Sequence, residues 1–268
     1  MFTVVIPTYN HERFLAEAAA SAMTEALVSE ILIADDGSQD NSLEIVEKLC
    51  GLYPNKIRNL TQYPVRNIGA HAMLNRLISQ ARSEWIAVLN SDDKFAPGRF
   101  SVVRNRLRVS RFDFCFGNLS IIDDASLVIG RKRAFLDPQF PFPEDEEALP
   151  SDANGLLRRL CCQNYIATTS NMVFTKDLWA RVGGFRDYRY VHDWDFAIRS
   201  MFCGEPVYIP EHMTFYRVHE SNTIKEARDR QNREVQELFS ALKTDFGEER
   251  FSGLGRYISA NEYLRADA

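Results

Sequence analysis

Apolar and polar positions along the first part of the chain predict strands and helices in strict alternation. Short β-branched or aliphatic runs, typical of buried strands, are separated by alanine- and leucine-rich stretches with helical spacing. The predicted strands are 2–6, 30–34, 56–61 and 85–89, and the predicted intervening helices are 11–26, 40–49 and 70–81. Pro7 is expected to end the first strand. The alternation predicts parallel strands with right-handed crossovers, and therefore an α/β fold.

The pattern after residue 93 is less regular. It predicts a basic amphipathic helix over 97–109, a strand over 113–122, helices over 154–162, 177–182 and 193–203, extended segments over 165–174, 206–209 and 213–216, and a charged helix over 225–243 before a helical tail. Residues 131–150 hold four prolines and an acidic run, which fits either a binding loop or lid or a disordered insertion. We expect one domain over 1–222, with halves 1–95 and 96–222, and a helical extension over 223–268.

Polar side chains follow three of the four predicted N-terminal strands at the point where each strand ends. They are Thr8-Tyr9-Asn10, Asp35-Asp36 and Asn90-Ser91-Asp92-Asp93. If the strand order is 3-2-1-4, these ends meet on one rim, where ligands bind in such sheets. Taken alone, Asp92-Asp93 is equally compatible with a solvated turn. Neither GxGxxG nor GxxxxGK[ST] follows the first strand, which argues against a dehydrogenase or a P-loop protein.

Composition and charge exclude several other classes. With 268 residues and a net charge of −5, the chain can bury a large core but offers no basic field for nucleic acid. The sequence contains no run of 18 apolar residues, so no membrane span is predicted, and no signal peptide is evident. Five scattered cysteines form no CxxC pair, so neither zinc nor a disulfide framework is indicated. We expect a reduced, cytoplasmic protein.

Five motifs, in order, resemble the family 2 glycosyltransferases, enzymes with a GT-A fold. The resemblance covers about residues 2–222. The motifs are Val4-Val5-Ile6-Pro7-Thr8-Tyr9-Asn10, Ala34-Asp35-Asp36-Gly37-Ser38, Asn90-Ser91-Asp92-Asp93, Val182-Gly183-Gly184-Phe185 with His192-Asp193-Trp194-Asp195, and Tyr216-Arg217-Val218-His219 with Asn222. Each motif is loose when taken singly, whereas their joint order is specific.

The resemblance implies inverting transfer of a sugar from a nucleotide diphosphate-sugar, often a UDP-sugar, to an acceptor hydroxyl. A divalent cation, Mn²⁺ or Mg²⁺, would join the anionic diphosphate to the acidic rim and neutralise the leaving group. The family pattern assigns the metal to Asp93, and places Asp92 near the ribose or in support of the metal. Many relatives have an acidic residue where this chain has Asn90, which weakens the metal site by one charge.

The same resemblance assigns the nucleotide pocket and the catalytic base. Thr8 and Tyr9 would line the pocket, Asp36 would accept a hydrogen bond from the base ring, and Asn67 and Asn75 are further pocket candidates. Asp193 would be the general base. Each assignment has a simpler structural reading: Asp36 as a turn residue, Tyr9 as core, Asn67 as part of the Asn67-Ile68-Gly69 turn, and Asp193 as a helix N-cap.

His219 and Arg217 are candidates for the metal and the diphosphate, although a lone histidine is more often structural. His192 stands where related sequences often have Glu, and its role is open. Asp195 is expected to support the start of its helix, and Trp179 and Trp194 to be core or acceptor-wall residues. The implied acceptor is a saccharide or a lipid-linked molecule, such as a growing surface polysaccharide, with peripheral membrane contact compatible with this class.

Two other functions compete with this reading. A sugar nucleotidyltransferase can share the topology, but it should carry a glycine- and arginine-rich loop after the first strand, which residues 8–13 do not provide. A non-catalytic module that binds nucleotide-sugars is favoured by Asn90 and His192, which depart from the family pattern. Turnover, and its dependence on Asp193, separates an enzyme from a binding module.

Overall fold

The computed structural model describes residues 1–137, 152–220, 228–261 and 263–264. Within these ranges the chain forms one sheet with the strand order β3-β2-β1-β4-β8-β6-β9-β5, and β7 pairs with β6. The strands are β1 Phe2–Thr8, β2 Val28–Asp35, β3 Ile57–Asn59, β4 Trp85–Val88, β5 Lys94–Phe95, β6 Phe114–Ile122, β7 Val128–Lys132, β8 Val173–Thr175 and β9 Pro206–Arg217. The α/β class and the 3-2-1-4 order of the first four strands are confirmed.

The four N-terminal strands are parallel and bring three polar ends to one rim. In register, Thr8 lies opposite Asp35, while β4 pairs only with Phe2–Val5 of β1. The prediction that Pro7 ends the first strand is wrong, because β1 continues to Thr8. Proline is tolerated there because β4 pairing has already stopped, so its missing N–H breaks no bond on that side.

The second half of the sheet is mixed. β8 runs antiparallel to both β4 and β6, whereas β6 and β9 are parallel. The two segments predicted over 206–209 and 213–216 are one strand, β9, whose register with β6 shifts on either side of Asn118. The strands β5 and β7 were not predicted. The acidic run in the 131–150 excursion lies outside the described residues, but the start of that stretch belongs to β7 and a 3₁₀ turn, Ala134–Leu136.

Helices cover both faces of the sheet because its buried strands are apolar on both sides. Along β1, Val5 belongs to one hydrophobic cluster and its neighbours Val4 and Ile6 to the other. The helices are α1 Leu15–Met23, α2 Ser42–Leu52, α3 Ala70–Ser79, α4 Arg99–Leu107, α5 Ala153–Cys162, α6 Lys176–Arg181, α7 His192–Cys203, α8 Arg228–Phe246, α9 Glu248–Ser252 and α10 Gly255–Ser259. None of those within the described ranges is both long and apolar enough to cross a bilayer.

The C-terminal helices pack onto the second half of the domain. Val235, Leu238 and Phe239 of α8 are buried in the same cluster as Trp194 of α7. Glu234 of α8 also accepts hydrogen bonds from the backbone N–H groups of Arg189 and Tyr190, at 2.9 and 2.7 Å. The extension therefore braces the loop that leads into α7.

Candidate active site

His11, Asp92 and His219 form a compact cluster at the rim. Their ligand atoms all lie within 4.8 Å of one another. His219 Nε2 is 3.1 Å and His11 Nε2 is 3.9 Å from the same Asp92 oxygen, Oδ2. The three residues come from the ends of β1, β4 and β9. Two imidazole nitrogens and a carboxylate oxygen that converge in this way can hold a divalent metal ion.

Neighbouring groups fix how the histidines present their nitrogens. His11 Nδ1 pairs with Ser91 Oγ at 2.8 Å, which leaves Nε2 directed towards Asp92. Burial, opposed by the charge of Asp92, lowers the pKa of His11, so its imidazole is neutral at pH 7 and its lone pair is available. The ring of His219 packs against Phe14, with centroids 5.2 Å apart. The cluster therefore has the second layer of contacts that orients metal ligands.

The sequence suggested Asp93 as the metal ligand, but its side chain contacts other protein groups and not the two histidines that Asp92 contacts. Its side chain is buried, and it accepts hydrogen bonds from Ser170 Oγ (2.6 Å), Thr168 Oγ1 (3.1 Å) and the backbone N–H of Arg217 (2.9 Å). Burial, reinforced by the charge of Asp92, raises the pKa of Asp93 to about 8. Asp92 is the ionised member of the pair, and Asp93 joins β4, β9 and the loop before β8.

The sequence suggested that Arg217 binds the diphosphate, but in the structure its guanidinium contacts other protein groups. The guanidinium is fully buried over the Phe14 ring, 4.6 Å from its centroid. Nε donates to the backbone oxygen of Asp92 at 2.7 Å, and the two terminal nitrogens donate to Glu17 Oε2, Ser126 Oγ and the backbone oxygen of Asp123. With all its nitrogens engaged, Arg217 positions the backbone that carries Asp92.

The predicted nucleotide pocket gathers at the ends of β1 and β2. Asp36 accepts backbone hydrogen bonds from Ile68 and Gly69, at 2.7 and 3.0 Å, and so fastens the loop before α3. Burial, partly offset by these bonds, raises the pKa of Asp36. Tyr9 is 45% exposed and Asn67 is also exposed, so both side chains can meet a ligand.

Two buried oxygens in this pocket have no partner within the described part of the chain: Thr8 Oγ1 and Asp35 Oδ2. The other oxygen of Asp35 accepts from the backbone of Gly37 and Ser38, at 3.0 and 2.9 Å, which is an ordinary turn bond. Buried polar atoms are rarely left without partners. This pair therefore marks a place where a polar ligand atom can bind.

Asn75 is a structural residue instead of a lining residue of the pocket. Its Oδ1 accepts from Phe185 N (2.8 Å) and Trp179 Nε1 (3.1 Å), and its Nδ2 donates to Phe185 O (2.7 Å). It thereby anchors the Gly183-Gly184-Phe185 motif to α3. Asp195 is fully buried and pairs with Arg199. Arg199 also donates to the backbone oxygens of Val182 and Gly184. Asp195 therefore supports the start of α7.

Asp193 lies at the start of α7 and is joined to the loop before β8. Its Oδ2 accepts from Asn164 Nδ2 at 3.1 Å, and its Oδ1 from the backbone N–H of Trp194 at 2.7 Å. Thr168 and Ser170, which follow Asn164 in the same loop, donate to Asp93. This loop therefore links Asp193 to the end of β4. Trp194 is buried, with its indole N–H bonded to Leu160 O.

Sequence reasoning missed four residues that build this site. His11 follows the polar exit of β1 directly, and its position beside Asn10 was the available signal. Thr168 and Ser170 lie in an uninterrupted polar run, Thr168 to Asn171, within a segment predicted only as extended. Asn164 gave no local signal, because its partner is 29 residues away.

The fold matches known structures. The mixed sheet flanked by helices matches solved GT-A glycosyltransferases. S. aureus TarS (residues 1–349) in complex with UDP superimposes with a TM-score of 0.68 at 19% identity, covering 96% of this chain and 69% of that one. The mannosyltransferase PcManGT from Pyrobaculum calidifontis, in complex with GDP-Man and Mn²⁺, gives a TM-score of 0.66 at 16% identity, covering 97% and 69%.

The family follows from the sequence comparison. The family model described as glycosyl transferase family 2 matches residues 3–178. The chain therefore belongs to the family 2 glycosyltransferases. An uncharacterised Mycobacterium tuberculosis protein is 30% identical over 227 residues, which cover 81% of this chain and 58% of that protein. The chain thus spans somewhat under two thirds of the length of such curated relatives.

Proposed function

We propose that the protein transfers a sugar from a nucleotide diphosphate-sugar to an acceptor hydroxyl with inversion, assisted by a divalent cation. The observation that carries the proposal is the His11–Asp92–His219 cluster. Asp193 is joined through Asn164 to the loop whose Thr168 donates to Asp93, the neighbour of Asp92. The cluster supplies ligands for a cation, and Asp193 supplies a carboxylate for the acceptor. The nucleotide complexes of TarS and PcManGT support the choice of donor class.

We assign the cation to His11, Asp92 and His219, with Asp92 in the place that the sequence suggested for Asp93. Because two of the three ligand atoms are imidazole nitrogens, the set favours Mn²⁺ over Mg²⁺, which prefers oxygen ligands. Such an ion would neutralise charge on the departing diphosphate. Asp93 and Arg217 then hold the loop ends from which Asp92 and His219 project.

The nucleotide base is proposed to bind at the ends of β1 and β2. Thr8 Oγ1 and Asp35 Oδ2 offer the polar atoms without partners, and Tyr9 offers an exposed ring for stacking. The sequence suggested Asp36 for the base contact. Because both Asp36 oxygens already accept backbone N–H groups, we assign that contact to Asp35 and give Asp36 the role of shaping the loop around Asn67. We propose UDP as the nucleotide.

Asp193 is proposed to accept the proton of the attacking hydroxyl. The bonds from Asn164 and the Trp194 backbone hold its two oxygens in place. A carboxylate fixed in this way loses little freedom when the acceptor binds, which favours proton transfer at the moment of attack. Saccharide or lipid-linked acceptors remain the expected class.

Release of UDP from a panel of UDP-sugars tests the proposal, with saccharide acceptors present and Mn²⁺ added or chelated. Release should need Mn²⁺, and Asp193→Asn should reduce it by about a hundredfold or more without loss of donor binding. Nuclear magnetic resonance of the product should show the anomeric configuration opposite to that of the donor. Donor binding without turnover for any acceptor, unaffected by Asp193→Asn, would identify a binding module instead.

A further inference from the structure

A second cleft lies at the opposite end of the sheet from the rim that carries Asp92. It has a volume of about 400 Å³ and lies beside the start of β2, the turn before β3 and the turn before β4. Its lining is polar and charged apart from Pro54, and consists of Ser29, Glu30, Pro54, Asn55, Lys56, Arg58 and Arg82. The volume suits a small ligand, and the charged side chains of the lining favour a polar one.

Among the described residues that line this cleft, Glu30 is the one carboxylate, and protein donors already satisfy it. Glu30 is 7% exposed, and its Oε1 accepts from Thr3 Oγ1 at 2.8 Å and from the backbone N–H of Arg82 at 2.6 Å. Its Oε2 pairs with Arg58 at 3.1 Å. A buried carboxylate with this many donors is held in place as part of the wall.

Two of the three cationic side chains in this cleft, those of Lys56 and Arg82, are available to a ligand. Among the described residues, neither the ammonium of Lys56 nor the guanidinium of Arg82 has a hydrogen bond or an ion pair. Arg58 is shared between Glu30 and the backbone oxygen of Gln80. Three cationic side chains thus face one compensated carboxylate, in a chain whose net charge is −5. A concave site with surplus positive charge attracts anions.

We propose that this cleft binds a phosphate-bearing carbohydrate. The Arg82 fork and the Lys56 ammonium suit phosphate oxygens, and the exposed Asn55 offers an amide group to sugar hydroxyls. The Ser29 hydroxyl is already bonded within the protein, to Phe2 O at 3.1 Å and Ser83 Oγ at 2.9 Å, and forms part of the wall. The rim of Asp92 is acidic and needs a cation before it can hold a phosphate. Binding in this cleft needs no metal, and it is independent of whether the protein transfers sugars.

Amide chemical shifts of ¹⁵N-labelled protein in buffer with chelator, titrated with glucose 1-phosphate, inorganic phosphate and glucose, test the proposal. Glucose 1-phosphate should shift the amides of Asn55, Lys56 and Arg82. Inorganic phosphate should bind more weakly at the same amides, and glucose should leave them unmoved. These differences are expected because both the phosphate and the sugar contribute contacts.

The double variant Lys56→Ser/Arg82→Ser should weaken glucose 1-phosphate binding by about tenfold or more. It keeps the backbone N–H of Arg82 that Glu30 needs, and it removes side chains without protein partners, so its melting temperature should match that of the wild type. Arg104→Ser/Arg106→Ser removes the same charge from exposed positions on α4 and should bind normally. The proposal is overturned if no cleft amide moves, if both double variants weaken binding equally, or if binding occurs only with Mn²⁺ and is lost in Asp92→Asn.

Discussion

The Nε2 atom of His219 lies 3.1 Å from Asp92 Oδ2, although the two residues are 127 positions apart in the sequence. The contact joins the chain after β9 to the loop after β4, and His11 completes the group from the end of β1. Three strand ends from both halves of the sheet therefore build one cluster. A change in any of the three loops should disturb the same site.

Asn164→Ala should lower kcat about fivefold and leave the KM for donor unchanged. The variant removes the hydrogen bond to Asp193 Oδ2, worth roughly 1 kcal/mol, without touching the metal cluster. Steady-state rates at several donor concentrations separate kcat from KM. Asn105→Ala on the exposed face of α4 is the control, and an unchanged kcat in Asn164→Ala would exclude this positioning role.

Arg217→Lys should destabilise the fold by about 3 kcal/mol. Lysine cannot reproduce the fork that joins Asp92 O, Glu17 and Ser126, and it leaves buried acceptors without donors. Urea unfolding gives the free energy of unfolding. Arg104→Lys at an exposed position should stay within about 0.5 kcal/mol of wild type. Equal stability of the two variants would show that the Arg217 contacts contribute little.

Gly183→Ala and Gly184→Ala form a matched pair at adjacent positions. Both glycines have positive φ, +78° and +73°, so either alanine introduces strain of about 1 kcal/mol. At Gly183 a Cβ meets open space, whereas at Gly184 it would lie 2.5 Å from Asn75 Oδ1 and 3.1 Å from Trp179 Nε1. Gly184→Ala should therefore cost about 2 kcal/mol more in urea unfolding. Indistinguishable variants would contradict the anchoring role of Asn75.

Asp93→Asn should flatten the dependence of stability on pH. The native state holds the Asp93 proton up to a pKa of about 8, whereas the unfolded chain releases it near 3.8. This carboxyl therefore lends stability below about pH 4 that is lost as the pH rises towards 8. Asparagine can still accept from Arg217 N and donate to the Ser170 and Thr168 hydroxyls.

Thermal unfolding is measured with chelator present. The melting temperature of Asp93→Asn minus that of wild type should increase by several degrees between pH 5 and pH 8. Asp92→Asn should behave in the opposite sense. Burial alone raises the pKa of Asp92, but the His219 hydrogen bond and the charges of His11 and His219 outweigh it and lower the pKa. Its stabilising contribution is therefore lost as the pH falls. Parallel pH curves for wild type and Asp93→Asn would contradict the raised pKa.

Local pattern was sufficient for the N-terminal sheet and for the polar rim. Alternating elements predicted parallel strands, and the structure has the order 3-2-1-4 on which the shared rim depended. The strand ends at Thr8, Asp35 and Asn90 predicted where a site would lie, because parallel strands bring their carboxyl ends together. The sequence pattern did not predict which side chain makes a contact where that depends on residues distant in the chain. Which of Asp92 and Asp93 faces the histidines is decided by Thr168, Ser170 and the backbone of Arg217, all distant in sequence.

The second half of the sheet was harder to predict because its strands run in mixed directions and two of them are short. β5 and β8 have two and three residues, too few to carry a periodic signal. Asn164 and Glu17 act through partners 29 and 200 residues away, at Asp193 and Arg217, and nothing in their neighbourhood indicates it.

Calorimetric titration of UDP into the protein, with Mn²⁺ present and with Mn²⁺ chelated, tests directly whether the cluster holds a cation for the nucleotide. Mn²⁺ should strengthen UDP binding by about tenfold or more, His219→Ala should abolish this gain, and His212→Ala, outside the cluster, should retain it. Equal UDP affinity in both buffers, or a His219→Ala protein that responds fully to Mn²⁺, would show that the cluster does not hold the cation.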